Sequence, residues 1–151
     1  STFVLFVKKG KEFQFQSIKD LYGRQIMKQS GFSIGGDFGI AEKSQKIIIQ
    51  DAFEFEDFFI STLNGICDAF VSNLDVTLYK LKNEKQFQKY SDKVSYLQKP
   101  VEKRRGAYFV LSKKSRIENK AELARQIKEG LMKMENDGTY LKIRSRYLGE
   151  K

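Results

Sequence analysis

Apolar residues recur along the chain with two alternating rhythms. Residues 2–8 (TFVLFVK) form an almost unbroken apolar run closed by Lys9 and Gly10, which predicts a short strand covered on both faces. Ser17, Ile18 and Leu21 make a Ser-started helical turn ended at Gly23, and residues 24–29 predict a second strand. Glycines from Gly31 to Gly39 mark a turn opening a helix that reaches about Ser44. The β-branched run at 46–50 (KIIIQ) predicts a third strand. Phe55, Phe58, Phe59 and Leu63 then fall at i, i+3, i+4 and i+8, the stripe of an amphipathic helix that Asn64-Gly65 ends in the left-handed manner.

Residues 68–72 predict a fourth strand, Leu74, Leu78 and Leu81 a further helix, and residues 107–111 a fifth strand. Between them, 83–105 is polar and irregular, with Tyr90, Val94 and Tyr96 as anchors. The remainder is helical: Ala124, Ile127, Leu131 and Met134 form one stripe, and Tyr140, Ile143 and Tyr147 another, broken at Asn136-Asp137-Gly138. Strands alternating with helices predict an α/β sheet covered on both sides. Ligands of such sheets lie beyond the carboxyl ends of the strands. That rule nominates the turns after Gln29, Gln50 and Ser72.

Composition narrows the chemistry. The 151 residues suffice for one domain with at most a short appendage, and no apolar run approaches the roughly 18–20 residues of a membrane-spanning helix. The chain has no histidine, which excludes Ser-His-Asp and Cys-His catalysis, His-ligated zinc and HExxH proteolysis within it. Cys67 is the sole cysteine, so no intrachain disulfide or Cys-rich metal site forms. It lies in an apolar stretch, Ile66-Cys67-Asp68-Ala69-Phe70, that predicts a buried, inert thiol. No carboxylate or lysine pair stands out as catalytic, and the chain reads as no enzyme, with no cofactor and no metal.

The net charge of +9 raises a nucleic-acid reading. Its distribution argues against one: basic residues are scattered among acids, and the densest cluster is Lys103-Arg104-Arg105, followed by Lys113, Lys114 and Arg116. No basic helix, zinc module or aromatic RNA-binding strand accompanies them. No N-terminal segment has the order of a signal peptide.

The most informative stretch runs Gln29-Ser30-Gly31-Phe32-Ser33-Ile34-Gly35-Gly36-Asp37. Glycine lets backbone N–H groups approach a ligand, and a helix N-terminus seats a carboxylate or phosphate. It is neither GxGxxG nor a Walker A loop, so no nucleotide site is expected. The same glycines equally fit a tight strand-to-helix turn without a ligand. Asn73, after the fourth strand, reads as a ligand contact, as the N-cap of the next helix, or as both; Asp51 and Glu54 read as caps.

Four segments, in order, resemble a known family. Asp20-Leu21-Tyr22-Gly23-Arg24-Gln25-Ile26 followed by Gly31-Phe32-Ser33 resembles the "DL-x-G-x-x-I…G-x-S" segment opening the second lobe of bacterial periplasmic solute-binding proteins of the polar amino-acid type (extracellular solute-binding protein family 3). Leu63-Asn64-Gly65-Ile66-Cys67-Asp68-Ala69, running on to Asn73, is similar to its "L-x-x-G-R-x-D-A-x-x-x-D". Ser112-Lys113-Lys114-Ser115 and Asp137-Gly138-Thr139 with Ile143 are similar to its "S-K-x-S" and "D-G-T-x-x-x-I".

The resemblance implies a periplasmic-binding-protein-like (type II) α/β lobe. It would have a mixed, mostly parallel five-stranded sheet with helices on both faces and two C-terminal helices. It divides the chain into a ligand-binding lobe at 1–115 and helices at 116–151 that would pack on a first lobe. That first lobe would precede residues 2–8, so a partial receptor, truncated or proteolysed, is expected. The implied function is non-catalytic binding of a small polar, amino-acid-like solute for ABC-type uptake, outside the cytoplasm in the periplasm. The partners would be the solute and a membrane permease, with no nucleic acid and with self-association through uncovered helix faces. Gln29, Gly31, Phe32, Ser33 and Asn73 fall where the family holds its ligand. Asn73 replaces an Asp that pairs with an α-amino group, and Ile66 replaces an Arg. A sensory or regulatory lobe of a signalling or cell-wall protein is the alternative, and a basic nucleic-acid-binding domain a remote one.

Overall fold

A computed structural model of the chain describes residues 2–102 and 108–148. The basic cluster Lys103-Arg104-Arg105 and the start of the expected fifth strand, Ala107, lie outside the described residues. Two compact units divide between residues 105 and 106.

The first unit is a five-stranded sheet of order β3-β2-β4-β1-β5. Its strands are β1 (Phe3–Lys8), β2 (Gln25–Gln29), β3 (Ile48–Ala52), β4 (Ala69–Asn73) and β5 (Val94–Tyr96). It is mixed, as expected, but parallel pairings are not the majority: β2 pairs parallel with β3 and β4, while β1 pairs antiparallel with β4 and β5. The expected fifth strand at 107–111 is replaced by Val94–Tyr96. This short segment takes the free edge of β1, with Phe6 opposite Tyr96. Tyr108, Phe109 and Val110 instead stand exposed and outside any strand: an apolar run makes a strand only where a partner edge accepts its hydrogen bonds.

Both faces of the sheet are covered. On one, Leu5, Val7, Ile26, Ala69 and Val71 pack under Phe38 and Ala41 of α1 (Gly36–Lys43) and under Leu21 of a 3₁₀ turn (Ile18–Leu21). On the other, Val4, Phe6, Met27 and Phe70 meet Phe58 and Phe59 of α2 (Phe55–Leu63), with Leu81 of α3 (Leu74–Asn83) and Phe87 of the short α4 (Lys85–Gln88). Alternate residues of each strand thus enter opposite cores, which is why β1 and β4 read as continuous apolar runs. Phe70 is the centre of the second core, stacked on Phe6 and on Phe58 with ring centroids 4.9 Å away in both cases.

The Asp68 of the family-like "D-A" pair has a structural role. Its Oδ2 accepts the Gln25 N–H at 2.8 Å while its own N–H donates to the Gln25 carbonyl at 2.9 Å. It therefore locks the starts of β2 and β4 side by side. The second unit contains α5 (Lys120–Asn136) and α6 (Thr139–Leu148), separated at Asp137-Gly138, where Gly138 adopts φ +77°. No helix among the described residues is long and apolar enough to cross a membrane.

Candidate functional site

The carboxyl ends of β2, β3 and β4 lie at one end of the sheet, with Gln29 opposite Ala52. Because β1 runs antiparallel to β4, the start of β1 lies there too, Phe3 opposite Asn73. A cavity of about 350 Å³ opens at this end, and Gln29, Phe32 and Asn73 line it together. Phe3, Phe55, Phe58 and Val76 supply apolar wall, and Ser72 and Lys80 further polar groups.

The loop after β2 is a β-turn. The Phe32 N–H donates to the Gln29 carbonyl at 3.1 Å and Ser30 N–H to the Ala52 carbonyl at 2.9 Å. Gly31 holds φ +75° at the third position of that turn, a conformation that side chains disfavour. Lys28 pins the loop from below. Only 8% exposed, its ammonium donates to the Phe32 carbonyl at 2.9 Å. It also lies 3.3 Å from Glu42 and 3.7 Å from Asp51. A buried charge is tolerable only with such partners.

Asn73 caps α3: its Oδ1 accepts the Val76 N–H at 3.1 Å. The cap read from the sequence is thus present, and the same residue also stands on the cavity wall. Thr77, fully buried, donates its hydroxyl to Ser72 Oγ at 3.0 Å, fixing the strand-to-helix junction. One turn on, Lys80 Nζ contacts both oxygens of Glu84, at 2.9 and 3.1 Å. It also lies 4.9 Å from the Phe55 ring centroid and 5.1 Å from that of Phe87.

The expected residues are not all equivalent. Gly31 shapes the turn and Ser33 stands exposed on the loop; neither is among the residues lining the cavity. Lys80 and Phe3 were missed by reading the sequence. Asn73, Val76 and Lys80 fall at i, i+3 and i+7, a helical spacing that could have found the lysine. Phe3 was visible only through strand pairing.

The glycine-bordered helix start faces elsewhere. α1 begins at Gly36, after Gly35 at φ +79°, and Gly36 and Asp37 line a separate cavity of about 620 Å³ with Phe15, Lys99 and Glu102. A Cβ on Gly36 would run into the Glu102 carboxylate. This larger cavity shares no lining residue with the first. We take the smaller one as the candidate site because it lies beyond the carboxyl ends of parallel strands, where ligands of such sheets sit. Among the described residues no cluster of three or more Cys, Asp and Glu is arranged to hold a metal ion.

No protein-family model matches the chain, and no curated protein sequence matches it significantly. Its fold is shared with solved structures. The second substrate-binding domain of Lactococcus lactis GlnP, in an open conformation, matches with a TM-score of 0.66 at 20% identity over 99% of this chain and 59% of that one. The second substrate-binding domain of a putative amino acid ABC transporter from Streptococcus pneumoniae matches with a TM-score of 0.61 at 18% identity over 97% of this chain and 60% of that one. The ligand-binding core of GluR0 from Nostoc punctiforme, in complex with L-glutamate, matches with a TM-score of 0.59 at 16% identity over 99% and 62%. The chain has the α/β fold of these periplasmic-binding-protein-like domains. It spans about three-fifths of their length.

Proposed function

We propose that this chain is one lobe of a two-lobed receptor that binds a small amino-acid-like solute for ABC-type uptake. The lobe contributes one wall of the cleft and performs no chemistry on the solute. Gln29, Gly31, Phe32, Ser33 and Asn73 carry the binding on this side, with Gly31 and Ser33 presenting the loop and Gln29, Phe32 and Asn73 the wall. Residues 116–151 pack on the opposite lobe. The receptor works outside the cytoplasm and delivers its solute to a membrane permease.

The observation that carries this reading is the convergence of Gln29 and Phe32, from the end of β2 and its turn, with Asn73, from the end of β4, on a single cavity at the carboxyl end of the sheet. Supporting it, the loop bearing Phe32 is held by a buried ammonium rather than left to find its own conformation, so the wall is preorganised. The shared fold with substrate-binding domains of amino-acid transporters adds independent weight.

A thermal-shift screen of amino acids and related small solutes, run on the intact protein that carries this lobe, tests the proposal. A solute that binds the native state raises the melting temperature by mass action. That rise is expected to shrink in Asn73→Ala and in Phe32→Ala. A rise that survives both changes undiminished places the solute elsewhere and ends the reading.

A further inference from the structure

If the lobe binds its solute at this site, as proposed above, the side chains lining the cavity decide which solute fits. Phe3, Phe32, Phe55, Phe58 and Val76 make most of the lining apolar. Phe58 is buried and stacked on Phe70, and the Phe3 and Phe32 ring centroids lie 6.5 Å apart. Phe32 and Val76 are by contrast open to water, 53% and 47% exposed. A solute that covers them removes apolar surface from water.

The polar side chains of the lining are committed inside the lobe. Lys80 meets both oxygens of Glu84, at 2.9 and 3.1 Å, and Ser72 Oγ accepts the Thr77 hydroxyl at 3.0 Å. Asn73 Oδ1 accepts the Val76 N–H at 3.1 Å, and Gln29 Nε2 donates to the Phe53 carbonyl at 3.4 Å. None of the described lining residues carries a carboxylate. A charged side chain entering the cavity therefore loses its hydration without gaining an unpaired counter-charge. A side-chain amide exchanges water for groups that already have partners. An apolar side chain gives up no such bonds. The space suffices for one: an apolar cavity of about 150 Å³ holds a benzene ring, and this one measures about 350 Å³.

We propose that the cavity receives the side chain of the solute, and that the receptor selects amino acids with an aromatic or branched aliphatic side chain over those with a charged or amide one. Phe32 and Val76 are the specificity-determining residues. The solute's ammonium and carboxylate are left to groups outside this cavity.

Isothermal titration of the intact protein that carries this lobe tests this with four probes: L-leucine, L-phenylalanine, L-glutamine and L-arginine. The first two are expected to bind at least about tenfold tighter than the others, the scale on which an apolar pocket responds to a single methylene. Val76→Thr exchanges a methyl for a hydroxyl at a half-exposed position and narrows that preference. Phe32→Ala weakens both apolar probes, and Phe32→Leu, which keeps an apolar side chain on the wall, restores part of the loss. Tighter binding of L-glutamine or L-arginine, lost in Phe32→Ala, overturns the side-chain class while leaving the site in place. Binding of every probe indifferent to Phe32→Ala and Val76→Thr overturns the class and the site together. Failure of all four probes to bind overturns the class.

Discussion

Lys28 donates its ammonium to the carbonyl oxygen of Phe32 at 2.9 Å, tying a strand residue to the loop that walls the cavity. Glu42 of α1 and Asp51 of β3 flank the same ammonium, so one side chain joins three elements beneath the site. Lys28→Met removes the donor and leaves a carbonyl and two carboxylates short of a partner. It is expected to cost about 1–3 kcal/mol, read as a lower urea midpoint, with faster hydrogen exchange confined to the β2–α1 loop.

Phe70 lies between Phe6 and Phe58, its ring nearly parallel to both at 6° and 12°, and is fully buried. Phe70→Ala opens a cavity between two stacked rings and is expected to destabilise the lobe by about 3–5 kcal/mol. Phe70→Leu, which keeps most of the volume, should lose much less. Chemical denaturation of the two variants checks the ordering.

Asn73→Ala removes the cap of α3 as well as a group on the cavity wall. The stability cost expected is about 0.5–2 kcal/mol, while Asn73→Asp should stay close to the parent. A calorimetric comparison of the three proteins separates the cap from any effect on solute binding.

Acid sensitivity has a definite sign. The Asp20 carboxylate accepts the Gln16 and Ser17 N–H groups, both at 2.7 Å, and these bonds hold its carboxyl below the usual 3.8. Glu56 is likewise held low, first by the Lys89 ammonium and then by the Tyr90 hydroxyl. A carboxyl with a lowered folded pKa contributes stability above its ordinary value and loses it as pH falls through the folded value. Denaturation midpoints should therefore drop below about pH 4, less steeply in Asp20→Asn. An unchanged slope would refute the assignment.

Burial pushes the Cys67 thiol up, and the neighbouring Asp68 carboxylate adds to the rise. The residue is only 3% exposed. A thiol reagent such as DTNB should label the native protein slowly at neutral pH and release one equivalent promptly in denaturant.

Much of the fold was legible before any coordinates. Local rules operate within a few residues: the Phe55, Phe58, Phe59 stripe defines α2, Gly65 at φ +74° ends it, and Ser17 with Asp20 boxes the 3₁₀ turn. The misplaced fifth strand shows the limit. Residues 108–111 and Val94–Tyr96 are both short and partly apolar, and only the free edge of β1 chooses between them.

The site divides the same way. Gln29, Phe32 and Asn73 were readable because each stands at the carboxyl end of a strand or in the turn that follows, and strand ends are local features. Their meeting in one cavity, the arrival of Phe3 beside Asn73 and the grip of Lys28 on Phe32 depended on the order in which strands pair. The chain by itself determined where β1 to β4 and the longer helices fall, since those follow from side-chain period and glycine placement, but not where the fifth strand lies. The tertiary structure alone decided what lines the cavity: contacts between residues far apart in sequence are set by sheet register and core packing, which no local pattern contains.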